Sequence, residues 1–113
     1  MSQRIPRINQ LIKKELSQIL LKEIDFPKDI LVTVTRVIAS DNLNEAKVYI
    51  SVMPEEQGER VLHILERKVY YLQQKINKRL RMRPVPQIRF SEEKETAEAG
   101  RIEEILEKLK SKR

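Results

Sequence analysis

The stretch from Leu31 to Met53 reads LVTVTRVIASDNLNEAKVYISVM, and its pattern decides the fold class. Its first part, Leu31–Ser40, is rich in Val, Ile and Thr, which favour a strand. Asp41-Asn42 supplies residues typical of a turn. From Ala46 to Met53 apolar and polar residues alternate, which predicts a second strand with one apolar face. Two adjacent strands with a short link should pair as an antiparallel hairpin, and helices must cover its apolar face.

Segments with helical periodicity lie on both sides of this hairpin. In Ile5–Ile24 the apolar residues recur at spacings of three and four, and Pro27 ends the pattern. After the hairpin, Val61–Leu80 carries a similar apolar stripe that no Gly or Pro interrupts. By pattern alone this segment predicts one helix of about six turns. Pro84 lies beyond its end.

The last part of the chain predicts a short strand over Val85–Ser91 and an amphipathic helix over Thr96–Leu109. The apolar residues of that helix are Ile102, Ile105, Leu106 and Leu109. Residues 110–113 are expected to fray. The chain of 113 residues therefore predicts a single α+β domain over 1–113, with helices on one face of a three-stranded sheet.

Composition excludes several kinds of site. The chain has no cysteine, which rules out disulfides, thiolate zinc sites, iron–sulfur clusters and a cysteine nucleophile. No segment approaches the roughly 20 apolar residues that span a bilayer. Charged residues at 13–15 interrupt any apolar core of signal-peptide type. These observations predict a soluble cytoplasmic protein with no cofactor and no metal.

Positive charge is concentrated in residues 60–90, which hold nine Lys or Arg and one acidic residue, Glu66. This is the electrostatic footprint of a protein that binds a phosphate backbone. On a continuous helix the basic residues lie opposite the apolar stripe, with Tyr71 among them as a candidate for base stacking. The N-terminal helix adds further cations. The candidate RNA-binding residues are Arg4, Arg7, Lys14, Arg67, Lys68, Tyr71, Lys75, Lys78, Arg79, Arg81 and Arg83.

An ordinary solvated face is the competing interpretation of this basic segment. Solvated faces usually interleave Glu with Lys, as the last predicted helix does, whereas this segment does not. Like charges at i,i+4 also repel, and a polyanion would relieve that repulsion. The pattern therefore favours nucleic acid, although a general single-stranded nucleic-acid binder and a protein–protein adaptor with an acidic partner remain alternatives.

Candidates for catalysis are few. His63 is the only histidine, and no Asp, Cys or Ser partner is predicted beside it. Glu92, Glu93 and Glu95 precede the last helix and are best interpreted as a solvated turn. With only Gly58 and Gly100, the chain has no glycine-rich phosphate loop. The sequence predicts a protein that is not an enzyme and takes no small-molecule substrate.

Several runs resemble the ribosome-binding factor A family. They are VTVT at Val32–Thr35, Ser40-Asp41, Ala46-Lys47-Val48-Tyr49, and Leu80-Arg81 followed by Pro86, Ile88 and Phe90. The similarity extends over nearly the whole chain in the same order. It implies a type II KH-like fold, α-β-β-α-(kink)-α-β plus a C-terminal helix.

The resemblance also implies a function. Members bind the maturing small ribosomal subunit and its rRNA, and assist late rRNA maturation at the 5′ end. A monomer without a membrane partner is expected. The family places an Ala-x-Gly kink between the two helices, where this chain has Lys68-Val69-Tyr70. Because none of these residues is small, we expect the break to be shallow, shifted or absent.

Overall fold

The computed structural model describes residues 4–93, and within them the order of elements is the predicted one. The elements are α1 (Arg4–Glu23), β1 (Leu31–Ala39), β2 (Glu45–Met53), α2 (Gly58–Arg67), α3 (Val69–Arg79) and β3 (Gln87–Glu92). A 3-10 turn at Glu55–Gln57 precedes α2. The α+β class is confirmed. The predicted helix at 96–109 and the frayed tail at 110–113 lie outside the described residues.

The three strands form one mixed sheet in the order β1-β2-β3. β1 and β2 pair antiparallel from Leu31 opposite Met53 to Ala39 opposite Ala46, which confirms the predicted hairpin. A bulge between Val34 and Arg36 shifts the register by one residue. β3 lies parallel to β2, because α2 and α3 form the crossover that a parallel pair requires.

One face of the sheet is covered by helices, and the hydrophobic core lies between the two layers. Alternate residues of β2 are buried, while the intervening residues point to the open face. α1 packs on β1 and on α3, and α2 and α3 pack on β3. Fully buried core residues include Ile12, Leu16, Val48, Ile50, Leu65, Leu72 and Ile76. Within residues 4–93 no polar or charged side chain is buried in this core.

The prediction of one continuous helix over Val61–Leu80 was wrong, because the helix breaks at Lys68. The Lys68 N–H donates to the carbonyls of Ile64 and Leu65, and the Lys68 carbonyl accepts the N–H of Leu72. The backbone angles of Lys68 are φ −105° and ψ 10°, which any L-residue can adopt. The break therefore needs no glycine, and the kink is present with a lysine at its centre.

Two of the glutamates interpreted as a solvated turn are structural. Glu92 ends β3, and its carboxylate lies against Gly58 at the first turn of α2, where a β-carbon at residue 58 would collide with it. Glu93 forms an ion pair with Arg36 at 2.8 Å and its side chain is 13% exposed. The parallel pairing of β3 explains this error, since it brings both residues against elements far away in the chain.

Candidate nucleic-acid interface

α1 and α3 pack antiparallel on the covered side of the sheet and are joined by side-chain contacts. Arg79 Nη1 lies 3.0 Å from Glu15 Oε1 and also donates to Gln18 at 3.0 Å. Toward the other end of α3, Lys75 Nζ lies 3.6 Å from Glu23 Oε2. The two acidic residues of α1 therefore neutralise part of the charge on α3.

Tyr71 belongs to the same contact. Its hydroxyl donates a 2.6 Å hydrogen bond to Glu23 Oε1, and Lys75 Nζ lies 5.3 Å from the centre of its ring. This hydrogen bond, with the nearby charge of Lys75, lowers the pKa of the Glu23 carboxyl below its ordinary value. Tyr71 is thus engaged inside the protein, and its ring is 45% exposed.

The eleven residues that the sequence proposed for RNA binding fall into two groups. Four have contacts within the protein: Tyr71, Lys75 and Arg79 with α1, and Arg83 with the carbonyls of Leu80 and Met82. The other seven are cations for which no ion pair or hydrogen bond from the side chain is present within residues 4–93. These seven form what we call the basic surface: Arg4, Arg7, Lys14, Arg67, Lys68, Lys78 and Arg81.

The basic surface has two parts on the helical side of the molecule. Arg67 and Lys68 lie at the break between α2 and α3. Lys78 and Arg81 lie at the other end of α3. Because α1 and α3 are antiparallel, this end lies near the part of α1 that carries Lys14. About 16 Å of helix axis separates the two parts, because α3 has eleven residues. All seven cations are exposed to solvent.

Sequence reasoning missed Tyr70, which precedes Tyr71 and is 75% exposed. Its ring borders a groove of about 480 Å³ between the helix break and β3, lined also by Val69, Gln73, Ile88 and Phe90. No hydrogen bond of its hydroxyl occurs among the described residues. Tyr70 is therefore better placed than Tyr71 to stack on an unpaired base. The helical wheel selected Tyr71 because it lies within about 40° of the centre of the basic face.

Gln73 fixes the position of β3 beside this groove. Its amide nitrogen donates to the Pro86 carbonyl at 3.1 Å, and its carbonyl accepts the N–H of Ile88 at 2.9 Å. These bonds satisfy backbone groups on the free edge of the sheet, where pairing partners are lacking. No sequence pattern predicts this role, since glutamine on a helix surface is common.

The side chains that could hold a metal ion lie apart from one another among residues 4–93. His63 is exposed on α2, and no group of three His, Cys, Asp or Glu is close enough to hold a metal ion. No helix in this part of the chain is long and apolar enough to cross a bilayer. What the described surface offers is exposed positive charge, an aromatic ring and an apolar groove.

Comparison with known proteins gives a consistent result. A family model described as ribosome-binding factor A matches residues 4–106 of this chain. A ribosome-binding factor A from Coprothermobacter proteolyticus is 37% identical over 109 residues, which cover 96% of this chain and 80% of that protein.

Solved structures agree with the sequence matches. The crystal structure of ribosome-binding factor A from Thermus thermophilus superposes with a TM-score of 0.68 at 26% identity, over 78% of this chain and 93% of that one. A homology model of the Thermus thermophilus factor, fitted into a cryo-EM map of its complex with the 30S subunit, gives a TM-score of 0.64 at 28% identity, over 74% and 88% of the two chains. With the family model matching residues 4–106 and a relative 37% identical over 96% of this chain, the chain belongs to the ribosome-binding factor A family.

Proposed function

We propose that this protein is an assembly factor that binds the small ribosomal subunit, with the basic surface contacting rRNA phosphates. It acts by binding and not by catalysis. It assists late maturation of the small-subunit rRNA at the 5′ end, by holding or excluding one rRNA conformer until that step is complete. The whole chain acts as one domain and as a monomer in the cytoplasm.

The observation that carries the proposal is that seven cations on the helical side have no side-chain partner among residues 4–93. A charged surface that served only solubility could pair its cations with acidic side chains. α1 provides such partners for Lys75 and Arg79. The remaining cations keep their charge available to phosphates, which would release counterions on binding. The Thermus thermophilus factor, similar in fold and sequence, was fitted into a map of a 30S complex.

Tyr70 and the groove beside it would add contacts to bases. Aromatic rings stack on bases that are splayed out of a helix, and such bases occur in single-stranded loops and ends. A partner that combines phosphates with unpaired bases fits both features, and immature rRNA ends have that character. Duplex RNA alone would leave the groove unused.

The first experiment is sedimentation of lysate on a sucrose gradient at low and high salt, followed by detection of this protein. We expect migration with free small subunits at low salt and not with translating ribosomes. The interaction should weaken steeply as salt rises, because phosphate contacts supply most of the affinity. Migration at the top of the gradient at every salt concentration would overturn the proposal.

A matched pair of variants tests whether binding depends on the cations of the basic surface or on the net charge of the protein. Lys78→Ala/Arg81→Ala removes two cations of the basic surface, and Lys28→Ala/Lys47→Ala removes two exposed cations elsewhere. We expect only the first variant to stop migrating with small subunits in the gradient. Equal loss in both would show that net charge alone drives binding.

Two further outcomes would replace the proposal with an alternative. Equal affinity for random oligonucleotides and for small subunits would indicate a general single-stranded nucleic-acid binder. Co-purification with a partner that survives RNase treatment, together with no affinity for rRNA, would indicate a protein–protein adaptor. Each result is distinct from loss of folding, which circular dichroism of the variants would detect.

A further inference from the structure

The open face of the sheet is a surface that the proposed function does not use. It is formed by the outward residues of the three strands and includes two large apolar side chains paired across β1 and β2. Leu31 lies opposite Met53, and they are 64% and 52% exposed. Ile38 is exposed nearer the other end of β1. A solvent-facing sheet usually carries polar residues at such positions.

The centre of this face carries a net positive charge, because ion pairs of Arg36 with Glu93 and of Arg89 with Glu45 leave Lys47 without an anion among residues 4–93. The Arg36 guanidinium stacks 4.1 Å from the centre of the Tyr49 ring, and Lys47 Nζ lies 5.7 Å from the same ring. Lys47 is directly beside Arg89 in the parallel pair of strands. Like charges on neighbouring strands repel, and Lys47 has no ion pair within residues 4–93. An anionic group placed here would remove that repulsion.

The chain itself leaves β3 on this face. The Glu93 N–H donates to the Ile50 carbonyl at 2.6 Å, and its carboxylate accepts bonds from Arg36 at 2.8 and 3.1 Å and from the Thr35 hydroxyl at 2.9 Å. Glu93 thus reaches across β2 to β1. Because β3 is parallel to β2, the following residues emerge at the end of the sheet where Leu31 and Met53 lie.

We propose that the segment 96–109 docks as a helix on the open face of the sheet, with Ile102, Ile105, Leu106 and Leu109 against Leu31 and Met53. On a helix these four residues form one apolar stripe. Glu98 continues the stripe one turn earlier, and Glu103 lies about 100° from Ile102. Both carboxylates lie beside the apolar contact, where Lys47 can pair with one of them.

The geometry allows this position. Residues 94 and 95 link Glu93 to the start of the proposed helix at Thr96, and this link can span about 10 Å when extended. The Glu93 N–H donates to the Ile50 carbonyl, and Met53 lies three residues further along β2, a distance of about 10 Å, so the helix can reach Leu31 and Met53. The stripe from Ile102 to Leu109 needs only about 12 Å as a helix.

Methionine labelling tests the proposal in the full chain. With three methionines, [13C]methyl labelling gives separate signals for Met53 on the open face and Met82 elsewhere. Ile105→Asp/Leu106→Asp should shift the Met53 signal and increase its relaxation by a soluble paramagnetic chelate severalfold. Met82 should not change. The control Glu104→Gln, about 200° from Ile102 on the helix, should leave both signals unaltered. An unchanged Met53 signal in the double variant would overturn the proposal.

Cross-linking identifies the occupant, since the chain has no cysteine of its own. Met53→Cys/Leu106→Cys, treated with a short bis-maleimide, should give an intramolecular product on a denaturing gel. A cross-linked dimer would mean that a second copy covers the face. A product from Leu21→Cys/Leu106→Cys instead would place the segment in the apolar groove between α1 and β1. Either result would overturn the proposal and would leave the small-subunit proposal intact.

Discussion

The Tyr71 hydroxyl donates a 2.6 Å hydrogen bond to Glu23 Oε1, which joins two helices whose residues are 48 positions apart in the chain. The same carboxylate pairs with Lys75 through its other oxygen, Oε2. A tyrosine that sequence patterning favours as a nucleic-acid contact therefore orders an acidic residue that offsets neighbouring positive charge. α1 determines which cations of α3 remain available to a partner.

The first prediction concerns the Glu23 pKa. In Tyr71→Phe the carboxylate loses its largest stabilising partner, so we expect its pKa to rise toward the ordinary value of 4.5. Carboxyl-carbon NMR titration measures the change directly. Tyr70→Phe is the matched control, because the neighbouring hydroxyl has no partner among the described residues, and an equal rise in that variant would contradict the assignment.

The second prediction follows from the sign of that shift. A carboxyl whose pKa is lowered in the folded state stabilises the protein above its unfolded pKa, and the contribution is lost as pH falls through the folded pKa. Glu23→Gln should therefore be less stable than the wild type at pH 7. Below the folded-state pKa the difference should shrink, because wild-type Glu23 is then neutral as well. Urea denaturation at both pH values measures it, and a constant difference would count against the ion pair.

The third prediction concerns the anchoring of β3 by Gln73. Gln73→Ala leaves the Ile88 N–H and the Pro86 carbonyl without their partner, which should cost about 1–3 kcal/mol of the free energy of unfolding. Gln74→Ala, at the exposed neighbouring position, should change it by less than about 0.5 kcal/mol. Amide hydrogen exchange at Ile88 should accelerate only in the first variant. Equal exchange in both would show that the sheet holds β3 unaided.

The fourth prediction separates the effect of the Lys68 charge on binding from the effect of its backbone conformation on the helix break. Because its φ and ψ are open to any L-residue, Lys68→Ala should keep the helix break and change the free energy of unfolding by no more than about 0.5 kcal/mol. Binding to small subunits should weaken nonetheless. Backbone amide shifts of residues 64–72 check the first part, and large changes there would mean that the lysine side chain holds the break.

The fifth prediction uses the salt dependence of binding. Each phosphate contact contributes about 0.7 to the slope of log affinity against log salt for single strands and about 0.9 for duplex. Arg67→Ala/Lys68→Ala should therefore reduce the slope by about 1.4 to 1.8. Lys28→Ala/Lys47→Ala is the control and should leave the slope within about 0.3 of the wild type. A slope that falls equally in both would indicate diffuse attraction without specific contacts.

Local patterns in the sequence predicted much of the fold. The alternation in Ala46–Met53 and the β-branched run before it predicted an antiparallel hairpin, and the spacing of apolar residues predicted α1 within one residue at each end. These signals are local, because side-chain direction in a helix or strand repeats over a few residues. The predicted strand over Val85–Ser91 begins two residues before β3. Val85 and Pro86 are apolar, but they lie before the residues that pair with β2.

The candidate site was only partly predictable. Concentration of positive charge in 60–90 is a property of composition, so the sequence revealed it directly. Which of those cations lack an acidic partner depends on ion pairs between helices. These pairs join residues such as Glu15 and Arg79, which are 64 positions apart. No local pattern encodes such a contact, because it depends on how α1 and α3 pack. The hydrogen bond between Tyr71 and Glu23 was not predictable for the same reason.

The sequence by itself determined the class of fold, the order of the elements and the excess of positive charge, because each depends on composition or on spacing within one element. Only the tertiary structure decided that β3 lies parallel to β2, that the long helix breaks at Lys68 and that Glu93 pairs with Arg36. These features arise when elements distant in the chain pack together. Their partners are chosen by the geometry of the sheet and its helices, which no single segment specifies.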